Sequence, residues 1–132
     1  MFGQNTNPLN AYAAASIDAK VNSASPHELI LLLFEGAESA ISIAKLHMEQ
    51  GNVEQKGQLI SKAIDIINNG LSASLNMEVG GQLARQLASL YEYMGRRLIK
   101  ANIENNPAIL MEVSDLLGEI HSAWIEIKPK NQ

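Results

Sequence analysis

His27-Glu28 heads an apolar run and begins the zinc-hydrolase pattern H-E-x-x-H. In that pattern two histidines one helical turn apart hold the metal and the glutamate acts as base. Position 31 is Leu31, so the second ligand is missing, and His27 and Glu28 read as residues of a helix start. A di-iron bundle needs Glu-x-x-His on two helices. Glu35 and Glu38 are three apart, but no Glu-x-x-His occurs, and His47 and His121 stand alone. The chain has no cysteine, which excludes disulfides, thiolate metal sites and a thiol nucleophile. Gly51 to Gly57 is followed by no Lys-Ser/Thr pair, so it is not a phosphate loop. Gly80-Gly81 has no strand before it, so it is not a dinucleotide fingerprint. Arg96, Arg97 and Lys100 form a small basic cluster that reads as a solvated face near a helix end, with contact to an acidic partner segment as the alternative. Trp124 falls on an inner helical position and reads as packing. No catalytic residue, metal site or cofactor is expected.

The elements that carry these residues are helical. Residues 1–24 form an arm, polar from Met1 to Asn10 and then weakly amphipathic, with Leu9, Tyr12, Ala13, Ile17 and Val21 at helical spacing. Ser25-Pro26-His27-Glu28 is a strong helix start: Ser25 caps, Pro26 fits the first position, and Glu28 completes a capping box. That helix runs to about Gln50, where Gly51 supplies a left-handed stop. Its inner stripe is Ile30, Leu33, Phe34, Ala37, Ile41, Ala44 and Met48. A second helix, about Val53 to Leu75, carries Ile60, Ala63, Ile64, Ile67 and Leu71. After a turn at Gly80-Gly81, a third runs from about Gln82 to Glu104 with Leu83, Leu87, Leu90, Tyr91, Met94 and Leu98. Asn106-Pro107 opens a fourth, with Leu110, Val113, Leu117, Ile120, Trp124 and Ile127. Short loops make consecutive helices antiparallel neighbours. The expected fold is all-α: an antiparallel up-down-up-down four-helix bundle over 25–128, one domain, with a mobile N-terminal arm.

The surface is short of charge. Only 18% of the 132 residues are Asp, Glu, Lys or Arg, against about 25% in an average domain. The apolar share, 46%, is ordinary, and Ala, Ser, Asn and Gln make up the difference. A net charge of -4 argues against nucleic acid. The N-terminus, MFGQNTNPLN, lacks the basic residues of a secretion signal, and no apolar run approaches the ~20 residues that span a bilayer. A soluble intracellular protein is expected.

Drawing the helices shows where the missing charge matters. Leu29-Ile30-Leu31-Leu32-Leu33-Phe34 is apolar all round, although a bundle helix needs a stripe only ~100° wide. The second helix has an extra line, Leu59, Ala63, Ile66, Gly70 and Ala73, whose small residues would leave a groove. Each exposed large aliphatic forgoes roughly 1.5–3 kcal/mol of burial, so several together need a cover. A partner helix would fit a groove formed by Leu29, Leu32, Leu59, Ile66, Gly70 and Ala73. The arm, through Leu9, Tyr12, Ile17 and Val21, would be its lid in the free state. The alternative is a structural bundle whose spare faces join identical copies.

These blocks resemble the flagellin-specific export chaperone family, FliS. The resemblance runs through Ala11-Tyr12, the segment Ser23 to Ile30, and Leu33-Phe34-Glu35-Gly36-Ala37. It continues through Lys62 to Ile67, Gly80-Gly81, Leu90-Tyr91-Glu92-Tyr93-Met94, Arg97-Leu98, Ala101-Asn102 and Trp124. It implies a cytoplasmic bacterial chaperone without enzymatic activity. Such a protein binds the disordered C-terminal segment of flagellin, prevents premature polymerisation and delivers the subunit to the flagellar type III export gate. It also implies a contact with the cytoplasmic domain of the export-gate protein FlhA through Leu9 and Tyr12. The free protein would be a monomer, with a 1:1 flagellin complex. Leu9 and Phe34 depart from the family pattern, where tyrosine is common; Phe34 keeps the ring and loses the hydroxyl.

Overall fold

Ser25 sets where the first helix begins. Its hydroxyl oxygen accepts from the Glu28 amide at 3.2 Å, and the Glu28 carboxylate accepts from the Ser25 amide at 2.9 Å. These bonds close the expected capping box and hold the Glu28 carboxyl below its ordinary range. The structure, a computed structural model, describes residues 24–127. Helix α1 is Pro26–Gln50, α2 is Val53–Asp65, α3 is Met77–Glu104 and α4 is Pro107–Glu126. Among the described residues there is no strand, and no helix is long and apolar enough to cross a membrane.

Short local signals end and restart the chain. Gly51, at φ 76°, stops α1, and the amides of Gly51 and Asn52 turn back onto the carbonyls of Met48 and His47. Asn105, left-handed at φ 55°, stops α3. Asn106 then caps α4 by accepting from the Ala108 amide at 3.0 Å, with Pro107 behind it.

Two boundaries differ from the expected ones. The second helix keeps α geometry only to Asp65; Ile66–Ser72 continues it as a π-helical stretch. Helix α3 starts at Met77 rather than Gln82, because the Asn76 side-chain oxygen accepts from the amides of Glu78 and Val79. The expected Gly80-Gly81 turn is then a break inside α3. Gly81 sits at φ 53°, ψ -129°, a backbone that only glycine adopts readily.

Side-chain ties fix the arrangement. Lys56, near the start of α2, reaches Asn102 and Asn105 at the end of α3. Trp124, near the end of α4, bonds His27 at the start of α1. Each helix packs on its chain neighbour and α4 closes against α1, giving the expected antiparallel four-helix bundle. One end holds the turns at 51–52 and 105–106. The other holds the start of α1, the 73–76 turn and the end of α4.

The expected stripes supply most of the core. Phe34, Ala37, Ile41, Ala44 and Met48 meet Ile60, Ala63, Ile67 and Leu71, and these meet Tyr91, Met94, Leu98, Leu110, Val113 and Leu117. Leu83 and Ile127 are exceptions, 64% and 60% exposed. Leu83 lies on the inner stripe where the bundle ends, and Ile127 follows the last helical residue. Lys56 is buried despite its charge, 6% exposed, with its ammonium donating to the Asn102 carbonyl and the Asn105 side chain at 2.9 Å each. The basic cluster divides. Arg96 and Lys100 stay in exposed pairs with Glu92 and Glu104, one helical turn away. Arg97 instead crosses to Glu112 of α4 at 2.7 Å, and the Tyr93 hydroxyl donates to the same carboxylate. These two bonds, Tyr93 first, hold the Glu112 carboxyl below its ordinary range.

Candidate functional site

Two apolar surfaces stand out, and the first is the seam between α1 and α2. Glycines bring the helices close there. A Cβ on Gly36 would meet Ile66 at 3.4 Å, and one on Gly70 would meet Leu33 at 3.0 Å. Ile66 therefore lies over Gly36, and Leu33 fills the space beside Gly70. Leu29 and Leu32 sit one turn before Leu33 and Gly36 on α1, both half-buried. Leu59 and Ile66 are half-buried against the core, Gly70 is half-buried, and Ala73 is exposed. Leu33, Gly36, Ile66 and Gly70 thus meet at the seam, and the groove expected beside Gly70 is occupied by Leu33. Ile66 and Gly70 both belong to the π-helical stretch, a geometry that recurs at functional sites. Leu9, Tyr12, Ile17 and Val21 lie outside the described residues.

The second surface is a cavity of about 280 Å³ at the end of the bundle where α1 starts. Helix α1 contributes Ile30 and Phe34. The end of the second helix and its turn contribute Leu71, Ser74, Leu75 and Asn76. Helix α3 contributes Leu83, Ala84, Leu87 and Tyr91, and α4 contributes Ile120 and Trp124. Sequence reasoning placed most of these on inner stripes and so missed that they leave space. The available signal was the pair of large aliphatics, Leu75 and Leu83, flanking a polar turn.

Aromatic and polar contacts pin the cavity walls. The Trp124 ring stacks on His27, centroids 5.1 Å apart and planes 15° apart, and its indole N–H donates to the His27 carbonyl at 3.2 Å. His27 is 8% exposed, and its Nε2 has no hydrogen-bond partner among the described residues. Phe34 stacks on His121 at 5.3 Å, and His121 Nδ1 lies 2.9 Å from a Glu38 carboxylate oxygen. Burial pushes the Tyr91 hydroxyl up to about 12, so it is a neutral phenol at physiological pH. Among the described residues no group of three or more acidic or histidine side chains is placed to hold a metal ion.

These surfaces offer apolar area and shape; what they can do is bury the side chains of another chain. Fold and surfaces together define a helical-bundle docking scaffold. Residues 8–131 match the family model described as flagellar protein FliS, and the chain belongs to that family. It is 51% identical over 122 residues to the flagellar secretion chaperone FliS of Salmonella typhimurium, covering 92% of this chain and 90% of that one. The same-named protein of Escherichia coli is 43% identical over 88% of this chain and 85% of its own, and that of Vibrio cholerae 39% over 92% and 89%. The family is one of flagellar secretion chaperones, not of enzymes.

Proposed function

We propose that this chain is a cytoplasmic export chaperone for flagellin. It binds the disordered C-terminal segment, keeps it from polymerising, and delivers the subunit to the flagellar type III export gate. The observation that carries this reading is the surplus apolar surface: the half-buried Leu29, Leu32, Leu59 and Ile66 with Gly70 and Ala73, and a cavity of about 280 Å³ among the described residues at one end of the bundle. Ordering a disordered partner costs about 2–5 kcal/mol or more, so the complex must bury a wide apolar area in return. A bundle with few surface charges supplies that area with few ions to strip of water. Covering the segment that drives assembly makes binding and inhibition one event.

The N-terminal arm acts as the lid in the free monomer, and the bundle over 25–128 binds flagellin 1:1. The chain enters the described fold at Ala24, next to the His27–Trp124 stack on the cavity wall, which supports a lid built from Leu9, Tyr12, Ile17 and Val21. Leu9 and Tyr12 also make the contact with the cytoplasmic domain of FlhA.

Binding measured against flagellin and against flagellin lacking its C-terminal segment tests the reading. The full subunit binds and the truncated one does not; equal binding overturns it. Ile66→Glu weakens binding by about tenfold or more while the variant keeps its helicity, because Ile66 is only half-buried. Removal of residues 1–21 raises affinity for the segment, and Tyr12→Ala abolishes capture by the FlhA domain while flagellin still binds.

A further inference from the structure

One buried side chain of the cavity lining, Tyr91, carries a hydroxyl that makes no hydrogen bond to the described residues. Four of its residues carry a side chain with a strong hydrogen-bond donor or acceptor: Ser74, Asn76, Tyr91 and Trp124. The Ser74 hydroxyl donates to the Leu71 carbonyl at 2.8 Å. The Asn76 oxygen accepts from two amides at the start of α3. The Trp124 N–H is committed to the His27 carbonyl. The Tyr91 hydroxyl has no partner among the described residues, although Tyr91 is only 3% exposed. Among the described residues the one fully enclosed side-chain polar atom without a partner is His27 Nε2. The Tyr91 hydroxyl is therefore not fully enclosed, and Tyr91 is one of the residues that line the cavity.

An apolar group entering this cavity would displace any water that serves the hydroxyl. Unless the occupant brings an acceptor, a buried donor is left unsatisfied, which costs more than a hydrogen bond is worth. We propose that Tyr91 determines specificity in the cavity. Its hydroxyl donates to an uncharged acceptor, a side-chain amide oxygen or an unpaired backbone carbonyl, carried beside the aliphatic side chain that the partner segment inserts. A carboxylate fits worse, because the surrounding aliphatic and aromatic walls would have to desolvate its charge. This rests on the docking reading above and names what that docking selects for.

The test compares the wild-type chain, Tyr91→Phe and Leu83→Gln, titrated with a peptide of the flagellin C-terminal segment. Leu83 lines the cavity but is mostly exposed, so its replacement leaves the fold intact. Tyr91→Phe is expected to lose about fivefold to tenfold in affinity while the thermal midpoint of the free protein stays level or rises. If Tyr91→Phe binds like wild type while Leu83→Gln binds more weakly, docking stands and the role of Tyr91 is overturned. A lower midpoint for free Tyr91→Phe also overturns it, since the hydroxyl would then be spent within the fold. Failure of the wild-type chain to bind, or indifference to both substitutions, overturns the docking reading itself and this inference with it.

Discussion

At the end of the bundle that holds the turns at 51–52 and 105–106, each chain reversal is tied. Gly51 and Asn105 close their helices, Asn52 Nδ2 lies 3.0 Å from His47 Nδ1, and the buried Lys56 ammonium stitches α2 to the last turn of α3. The other end holds the cavity. The second helix continues in π geometry, α3 breaks at Gly81, and Leu83 in the cavity lining and Ile127 past the last helix are largely exposed. One end is thus tied by long-range hydrogen bonds, and the other holds the irregular backbone and the cavity. Exposed large apolar side chains occur toward both, Val53 and Ile103 at the first and Val79 and Leu83 at the second. Proteins commonly divide labour this way, with binding elements drawn from the less stable part of the structure.

Three substitutions test that division. The largest effect is expected at the tied end. Leu98→Ala removes a side chain with no exposure and should cost about 2–5 kcal/mol in chemical denaturation. Leu87→Ala, at the half-buried cavity wall, should cost clearly less; equal losses would break the comparison. Next is Gly81→Ala at the open end. An L side chain at φ 53° and ψ -129° should cost about 1–3 kcal/mol, read as a drop in thermal midpoint. If the midpoint rises instead, the break in α3 is not held by that backbone.

The smallest effect concerns pH. Glu112 has its folded-state value lowered, so its bonds stabilise the α3–α4 contact above its ordinary value of 4.5. That contribution is lost as pH falls through the lowered folded value. Wild type should therefore show an acid-dependent rise in amide exchange around Glu112 that Glu112→Gln lacks. Identical profiles would show that the carboxylate contributes nothing to the tie.

The caps were legible in the sequence because they are local. Ser25 and Glu28, Gly51, and Asn106-Pro107 act within a few residues, and the structure forms each of them. The inner stripes were legible for the same reason, since helical periodicity is a property of neighbours. Lys56 was not, because the acceptors that make its burial tolerable lie 46 and 49 residues further on. Arg97 was read as solvated because Glu112 belongs to another helix. The π stretch left no mark in the apolar spacing: Ile67 and Leu71 are buried as an α-helix would have them. The cavity escaped notice because periodicity states which face turns inward, not whether anything meets it there. The surplus apolar line on the second helix was visible, but Leu33 beside Gly70 was not, since a close approach between helices is written in neither helix alone.

Trp124 is the single tryptophan of the chain, and it stands in the cavity wall against His27. Nearly all of the protein's ultraviolet-excited emission at long wavelength therefore originates at one wall of the open end. Far-ultraviolet dichroism averages over four helices and is insensitive to what enters there. Intrinsic fluorescence is the opposite kind of signal, a built-in optical probe at the mouth. The arrival and departure of a guest can be timed in a stopped-flow cell without a dye, a tag or any change to the sequence.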